Sequence, residues 1–153
     1  MTVKPIPDRY QTATPYLVIS GAERAIAFYQ EAFGAIELMR LTDNTGKIAY
    51  AEVKIGSSQL MLADEYPNMS FHSPQSLGGT SVTIMLYVDA VDAQFSQAVA
   101  AGATVIRPVA DQFFGDRSGM LSDPFGHVWT IATHIEDVPP EEISQRFNTY
   151  LNS

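Results

Sequence analysis

The sequence contains no cysteine, and this absence excludes disulfide bonds, thiolate metal sites and a cysteine nucleophile. No apolar run approaches the roughly 18 residues that a membrane-spanning helix needs, and the first residues show no signal-peptide pattern. Basic residues are few and scattered, with nine Lys and Arg against 17 Asp and Glu and a net charge of −8. We therefore expect a cytoplasmic protein that binds neither nucleic acid nor a membrane.

Apolar residues, by contrast, make up 46% of the 153 positions, which is enough for one sizeable core. In the first half, apolar periodicity and turn residues predict a helix from Ser20 to about Phe33, flanked by strands. Ser20 and Glu23 fit a capping box at the start of this helix, and Gly34 suits its end. The strands of this half are predicted at 13–19, 36–41, 48–55 and 59–63. The first half is therefore predicted to have the order β-α-β-β-β.

The same order restarts after 66–80, a segment interrupted by Pro and Gly that we interpret as a linker loop. The second half is predicted to contain a strand at 82–88, a helix from Asp89 to Gly102, a strand at 104–107 that Pro108 stops, and a closing hairpin at 118–134. Pro124 and Gly126 lie in the turn of this hairpin, where they set an early φ and permit a late positive φ.

The spacing between the two halves is nearly constant. Three pairs of equivalent positions show it: the helix starts Ser20 and Asp89 lie 69 residues apart, the helix ends Gly34 and Gly102 lie 68 apart, and the last hairpin turns Gly56 and Gly126 lie 70 apart. Residue identity between the halves is low, so the repeat is one of pattern. Gene duplication explains it, or the chance recurrence of βα units in an α+β domain.

Two segments of this paired-module chain carry a resemblance to a known family. They are the helix segment 20–29, which ends in Phe28-Tyr29, and the turn Asp123-Pro124-Phe125-Gly126-His127. Over residues 12–135 the chain is similar to the vicinal oxygen chelate superfamily, the glyoxalase, bleomycin-resistance and extradiol dioxygenase group, and to its bacterial glyoxalase-like subgroup. The resemblance implies an α+β fold in which two βαβββ modules, 12–65 and 81–135, form a curved mixed sheet around a cleft, usually in a homodimer. Residues 136–153 would follow as a C-terminal helical tail.

Metal-dependent members of that superfamily place ligands on the first and last strands of each module. Alignment puts these four positions at Thr14, Met61, Thr83 and Thr130. Threonine hydroxyls and a thioether hold a divalent ion poorly, and a slip of the Met61 strand by one or two residues would not rebuild the site. We therefore predict no metal, no cofactor and no catalytic residue.

The histidines do not replace this site. His127 and His134 are seven residues apart on one predicted strand, so alternation sends them to opposite faces. A lone strand histidine near Trp129 is more typical of a packed structural residue than of a ligand. Tyr50 and Glu52 share a strand face, where they are either structural or an acid–base pair.

Strand alternation predicts a cleft wall of hydroxyls, thioethers and aromatic rings, which suits a small, partly apolar organic ligand. The predicted ligand-binding residues are Thr14, Tyr16, Tyr50, Met61, Thr83, Met85, Phe113, Phe114 and Thr130. Phe113 and Phe114 either line the rim of the cleft or pack beneath their own loop. The tail helix, with apolar residues at helical spacing from Ile143 to Leu151, packs either on its own sheet or on a partner subunit.

The resemblance and the four unsuitable ligand positions together predict a protein that sequesters a small organic molecule without the usual metal, as a homodimer. The alternative is a metal-dependent lyase, isomerase or dioxygenase of the same superfamily that uses a displaced site or the Tyr50–Glu52 pair.

Overall fold

A computed structural model describes residues 2–153 and shows an α+β chain with two four-stranded mixed sheets. The first module contains β1 (Tyr16–Ile19), α1 (Ala22–Phe33), β2 (Ile36–Thr42), β3 (Ile48–Ile55) and β4 (Ser58–Asp64). The second contains β5 (Thr83–Tyr87), α3 (Val91–Ala101), β6 (Thr104–Asp111), β7 (Asp116–Ser122) and β8 (Val128–His134). The predicted pair of βαβββ modules is therefore confirmed.

The chain between and after the modules is also partly regular. A 3₁₀ turn (Pro67–Met69) and the short helix α2 (Pro74–Leu77) lie in the segment predicted as a linker, and α4 (Pro140–Leu151) forms the tail. The chain folds as two compact units: one ends at Thr80 and includes Pro124–Gly126, and the other comprises Ser81–Asp123 and His127–Ser153. Within residues 2–153, every helix is too short or too polar to cross a membrane.

The first sheet has the strand order β1-β4-β3-β2, with β1 parallel to β4 and the other neighbours antiparallel. Helix α1 buries Ala22, Ile26 and Tyr29 at helical spacing. Alternate residues of β3, among them Ala51 and Val53, are buried as well. One face of this sheet therefore packs under α1, and in the described part of the chain the opposite face carries no helix of its own unit.

The start of α1 differs from its prediction. Gly21, not Ser20, lies at the N-cap, with φ 96°, and the capping oxygen comes from the end of β4. Asp64 Oδ1 accepts hydrogen bonds from the backbone N–H groups of Gly21 at 3.0 Å and Ala22 at 2.9 Å. Asp64 Oδ2 accepts from the N–H of Ile48 at 2.7 Å. The capping box was wrong because a buried carboxylate from a distant strand supplies the acceptor.

The second sheet has the equivalent order β5-β8-β7-β6. Helix α3 begins at Val91 with Ala90, not the predicted Asp89, at its N-cap. Here the capping oxygen is Thr133 Oγ1, which accepts from the N–H of Val91 at 2.9 Å and donates to the carbonyl oxygen of Val88 at 2.8 Å. Both modules thus cap their helix from the end of their last strand.

The repeat predicted from sequence spacing is present in the strand registers. Tyr16 pairs with Met61 in the first module, and Met85 pairs with Thr130 in the second. Each of these residues lies 69 positions from its counterpart. The β6 strand is longer than predicted, because it continues through Pro108 to Asp111 with register shifts on the way. An edge strand tolerates the missing proline N–H.

Candidate functional site

The first candidate site is the side of the first sheet that faces away from α1, which we call the first open face. Registers place eleven residues on it: Tyr16 and Val18 of β1, Ile36, Met39 and Leu41 of β2, Tyr50, Glu52 and Lys54 of β3, and Gln59, Met61 and Ala63 of β4. Many of these side chains are apolar or aromatic, and Leu41 is 53% exposed. The surface therefore sets a few polar groups among apolar ones.

Three of the predicted ligand-binding residues, Tyr16, Tyr50 and Met61, lie together on this face. Met61 pairs directly with Tyr16 on one side and with Glu52 on the other. The Tyr16 and Tyr50 ring centroids are 6.0 Å apart, and Phe71 lies edge-on to Tyr16 at 5.6 Å. Burial raises the pKa of both tyrosines, so both hydroxyls stay protonated at neutral pH.

Thr14 does not reach a strand. It precedes β1, and its hydroxyl donates to the carbonyl oxygen of Gln11 at 3.0 Å. Its role as a ligand-binding residue stays a prediction.

Glu52 is the polar centre of the first open face. It lies in the middle of the sheet and is only 2% exposed. The N-terminal arm, residues 2–12, reaches it: the Tyr10 hydroxyl donates to Glu52 Oε2, and the Arg9 guanidinium lies 3.4 Å from Glu52 Oε1. Tyr50 shares the strand face with Glu52 as predicted, but the hydroxyl that binds the carboxylate belongs to Tyr10.

Sequence reasoning missed this use of the arm. The available signal was a glutamate between the apolar residues Ala51 and Val53 of a central strand, because such a residue needs a polar partner from outside the strand.

Two buried acceptor atoms on this face lack a donor. Within residues 2–153, Glu52 Oε1 and Gln59 Oε1 receive no hydrogen bond. Met61 pairs with Glu52 and Gln59 pairs with Lys54, so Glu52 and Gln59 are diagonal neighbours on the same face. A buried acceptor without a donor costs about 1–3 kcal/mol. The face is therefore suited to a ligand that donates hydrogen bonds.

The second candidate site is the side of the second sheet that faces away from α3, which we call the second open face. Registers place Thr83, Met85 and Thr130 together there, since Met85 pairs with Thr130 and Thr83 with Val128. These are three further predicted ligand-binding residues. Met85 is exposed and Thr130 is half-buried.

A polar network lies at one end of the second open face. The buried Asp116 accepts from the Tyr87 hydroxyl at 2.8 Å and lies 2.8 Å from His134 Nδ1. His134 Nε2 lies 2.7 Å from Asp137 Oδ1. Hydrogen bonds to Asp116 and then to Asp137 raise the pKa of His134, and the hydrogen bond to Asp116 raises the pKa of Tyr87. The carboxylate thus orients an imidazole that is half exposed.

The remaining predicted residues, Phe113 and Phe114, lie in the loop before β7. The Phe113 ring centroid lies 5.6 Å from that of Phe147 and 5.7 Å from that of Tyr150 on α4. Arg146 of the same helix donates to the Phe113 carbonyl oxygen at 3.1 Å. The tail helix therefore packs on this loop of its own unit, while Phe114 stays exposed.

Comparison with known proteins identifies the family. The model of the Glyoxalase/Bleomycin resistance protein/Dioxygenase superfamily matches residues 11–131. The chain belongs to this superfamily. The protein Mb0911c of Mycobacterium bovis is 44% identical over 133 residues, which cover 85% of this chain and 88% of that protein. The Arabidopsis thaliana protein At5g48480 is 28% identical over 115 residues, covering 71% of this chain and 69% of that protein.

Two solved structures share the fold of this chain. Protein PA1353 of Pseudomonas aeruginosa has a TM-score of 0.67 at 25% identity and covers 82% of this chain and 99% of its own. The At5g48480 gene product has a TM-score of 0.65 at 26% identity and covers 80% of this chain and 98% of its own.

The metal that enzymes of this superfamily hold does not fit the residues at the four aligned positions. Those positions carry three threonines and a methionine, and none of the four supplies an imidazole or a carboxylate. Across residues 2–153, no group of three His, Asp, Glu or Cys side chains is arranged to hold an ion. The donor set of this chain therefore departs from that of the metal enzymes.

Proposed function

We propose that this superfamily member binds and sequesters a small, partly apolar organic molecule without the usual metal. The observation that carries the proposal is the first open face, which Tyr16, Tyr50 and Met61 share with a buried carboxylate, one oxygen of which receives no hydrogen bond. Aromatic and thioether groups supply contact area, and a few polar atoms fix the orientation of a bound molecule, which is the usual composition of a ligand site.

The proposal includes a cytoplasmic homodimer. Exposed apolar side chains on the second open face, such as Met85 and Tyr87 of β5, support an association that covers them and leaves the first open face accessible to the ligand. Light scattering after size-exclusion chromatography measures the mass of the particle. A mass of twice 16.8 kDa is expected, and a single-chain mass at high protein concentration would contradict this part of the proposal.

The test of binding is a thermal-shift screen with aromatic and glycopeptide-like compounds, carried out in chelator. A ligand at 100 times its Kd stabilises the folded state by about 2.7 kcal/mol. For a chain of this size that corresponds to a rise in Tm of about 5–10 °C. The substitution Tyr50→Ala should abolish the shift, and Tyr66→Ala, a tyrosine outside the first open face, should keep it. Turnover that rises in proportion to a bound metal would contradict the proposal.

A second candidate function is a lyase or isomerase of the same superfamily that moves a proton with His134. The specific observation in its favour is the Asp116–His134 hydrogen bond, because a carboxylate that orients an imidazole is a common arrangement for general acid–base catalysis. The substrate would replace the exposed Asp137 at His134 Nε2. Under this function, His134→Gln would abolish turnover and leave ligand affinity unchanged. Under the binding function, the same substitution would leave the ligand affinity and the ligand-induced rise in Tm unchanged, with no turnover in either protein.

A further inference from the structure

We propose that the first open face binds an organic ammonium ion, which takes the place of Arg9 and Tyr10 at Glu52 and also donates to Gln59. This inference rests on the proposed binding function and names the chemical class of the ligand. It is carried by two buried acceptors that receive no hydrogen bond, Glu52 Oε1 and Gln59 Oε1, and by the groups that the arm places beside Glu52.

The unmatched atoms of the site are acceptors, so the missing partner is a donor. Glu52 Oε1 and Gln59 Oε1 are both buried and lie on the same face of adjacent strands. Lys54, which pairs with Gln59 across the strands, donates to neither oxygen. An ammonium group carries three donors on one atom and a positive charge, so it can serve both oxygens and keep one donor for Glu52 Oε2. A carboxylate or ether ligand would add acceptors where donors are needed.

The arm shows the kind of group that the site accepts. Arg9 contributes a cation and Tyr10 contributes a hydroxyl donor on an aromatic ring, and both meet the same carboxylate. The Arg9 side chain is 60% exposed. Its 3.4 Å contact with Glu52 Oε1 is too poorly directed to count as a hydrogen bond, and its hydrogen bond to Oε2 is long at 3.5 Å. Solvent screens such a pair strongly. A ligand cation that enters the site therefore replaces the weak Arg9 contact with a stronger one, and it takes over the hydrogen bond that Tyr10 gives to Oε2.

The arm can leave at low cost. Residues 2–9 are exposed, and the ion pair between Lys4 and Asp8 is local to the arm. Beyond Glu52, the arm contacts the sheet through Gln11 Nε2, which donates to Ser58 Oγ at a long 3.4 Å. Displacement of the arm would break these contacts. The sheet would stay unchanged, because its hydrogen bonds are made between its own strands.

The aromatic neighbours favour a cation with an apolar body. Tyr50 precedes Glu52 by two residues on the same strand face, and its ring lies 6.0 Å from that of Tyr16. Burial raises the pKa values of both hydroxyls further above neutral pH, so both rings are neutral. Neutral, electron-rich rings attract a cation that lies over them, and Met61 between the two strands adds a polarisable apolar contact.

The test uses three probes that share a phenylpropyl body: 3-phenylpropylammonium, 3-phenylpropan-1-ol and 3-phenylpropanoate. Their affinities for the full chain are measured by isothermal titration calorimetry at neutral pH. A hydrogen bond to a charged group is stronger than a neutral one by an amount equivalent to about tenfold in affinity. We expect the ammonium to bind about tenfold more tightly than the alcohol, and the carboxylate more weakly than either.

Variants distinguish binding of the ammonium ion at Glu52 from a general attraction of cations to an acidic protein. Glu52→Gln should remove the preference for the ammonium and keep the affinity for the alcohol. Glu37→Gln, which removes the same charge from the α1 side of the sheet, should leave the preference unchanged. Tyr10→Phe should raise ammonium affinity several-fold, because the competing hydroxyl is gone. This variant keeps the Glu52 carboxylate that Glu52→Gln removes.

Four results would overturn the ammonium site. One is an alcohol that binds as tightly as the ammonium, which would leave the binding function in place with a different ligand class. Another is an equal loss of preference in Glu52→Gln and Glu37→Gln, or weaker ammonium binding in Tyr10→Phe. The last is a failure of all three probes to bind the wild type and Tyr10→Phe. In that case the wider compound screen decides the binding function independently.

Discussion

Asp64 should be one of the most important polar residues for stability, and Asp64→Ala tests why. Its carboxylate accepts from three backbone N–H groups, two at the start of α1 and one at the start of β3. Loss of the helix cap costs about 1–2 kcal/mol. The N–H of Ile48, left without an acceptor in a buried position, costs about 1–3 kcal/mol more. We therefore expect Asp64→Ala to lower the free energy of unfolding by about 2–5 kcal/mol.

Urea unfolding followed by circular dichroism measures this loss directly. Asp64→Asn is the matched variant, because it keeps a side-chain oxygen for one edge of the cluster and presents an amide N–H to the other. Its decrease in the free energy of unfolding should be smaller than that of Asp64→Ala. Asp89→Ala is the control, since this aspartate is exposed and precedes α3, whose first N–H is capped by Thr133 instead. A loss below about 1 kcal/mol for Asp64→Ala would refute the idea that one carboxylate holds helix and strand together.

Further substitutions extend the same reasoning to the rest of the chain. Thr133→Val should lower the free energy of unfolding by about 1–2 kcal/mol. This loss is smaller than that of Asp64→Ala, because one N–H group loses its acceptor instead of three. Equal losses for the two variants in urea unfolding would contradict this explanation. The raised pKa of His134 means that its contribution to stability is fully present below its ordinary pKa of 6.5 and is lost as the pH rises through the folded-state value. Asp116→Asn should therefore lower the pKa of His134 in an NMR titration, and an unchanged titration curve would exclude the Asp116 contact as the main cause. Phe147→Ala should loosen α4 from Phe113 and speed amide exchange in the tail alone, as hydrogen–deuterium exchange would show.

The long, strongly periodic elements were predictable from the sequence because their signals are local. Apolar spacing of 3.6 residues gave α1 and α3, and the predicted limits of β3, 48–55, match the structure. The 69-residue offset likewise survives as equivalent strand registers, Tyr16 with Met61 and Met85 with Thr130. Alternation alone places Tyr50 with Glu52, and Met61 with Ala63, on one face of their strands, as the registers show. The ligand-binding role of these residues stays a prediction.

The features that depend on distant residues were not predictable in this way. Ser20 and Asp89 have the right chemistry for helix caps, yet the caps come from Asp64 and Thr133, more than 40 residues away along the chain. The partner of Glu52 is Tyr10, from an arm that has no periodic signal of its own. Local sequence determines which conformation a segment prefers and which side chains share a face. Only the tertiary structure decides which buried polar atoms meet, because an unpaired donor or acceptor can be satisfied by any group that the fold brings within hydrogen-bond distance.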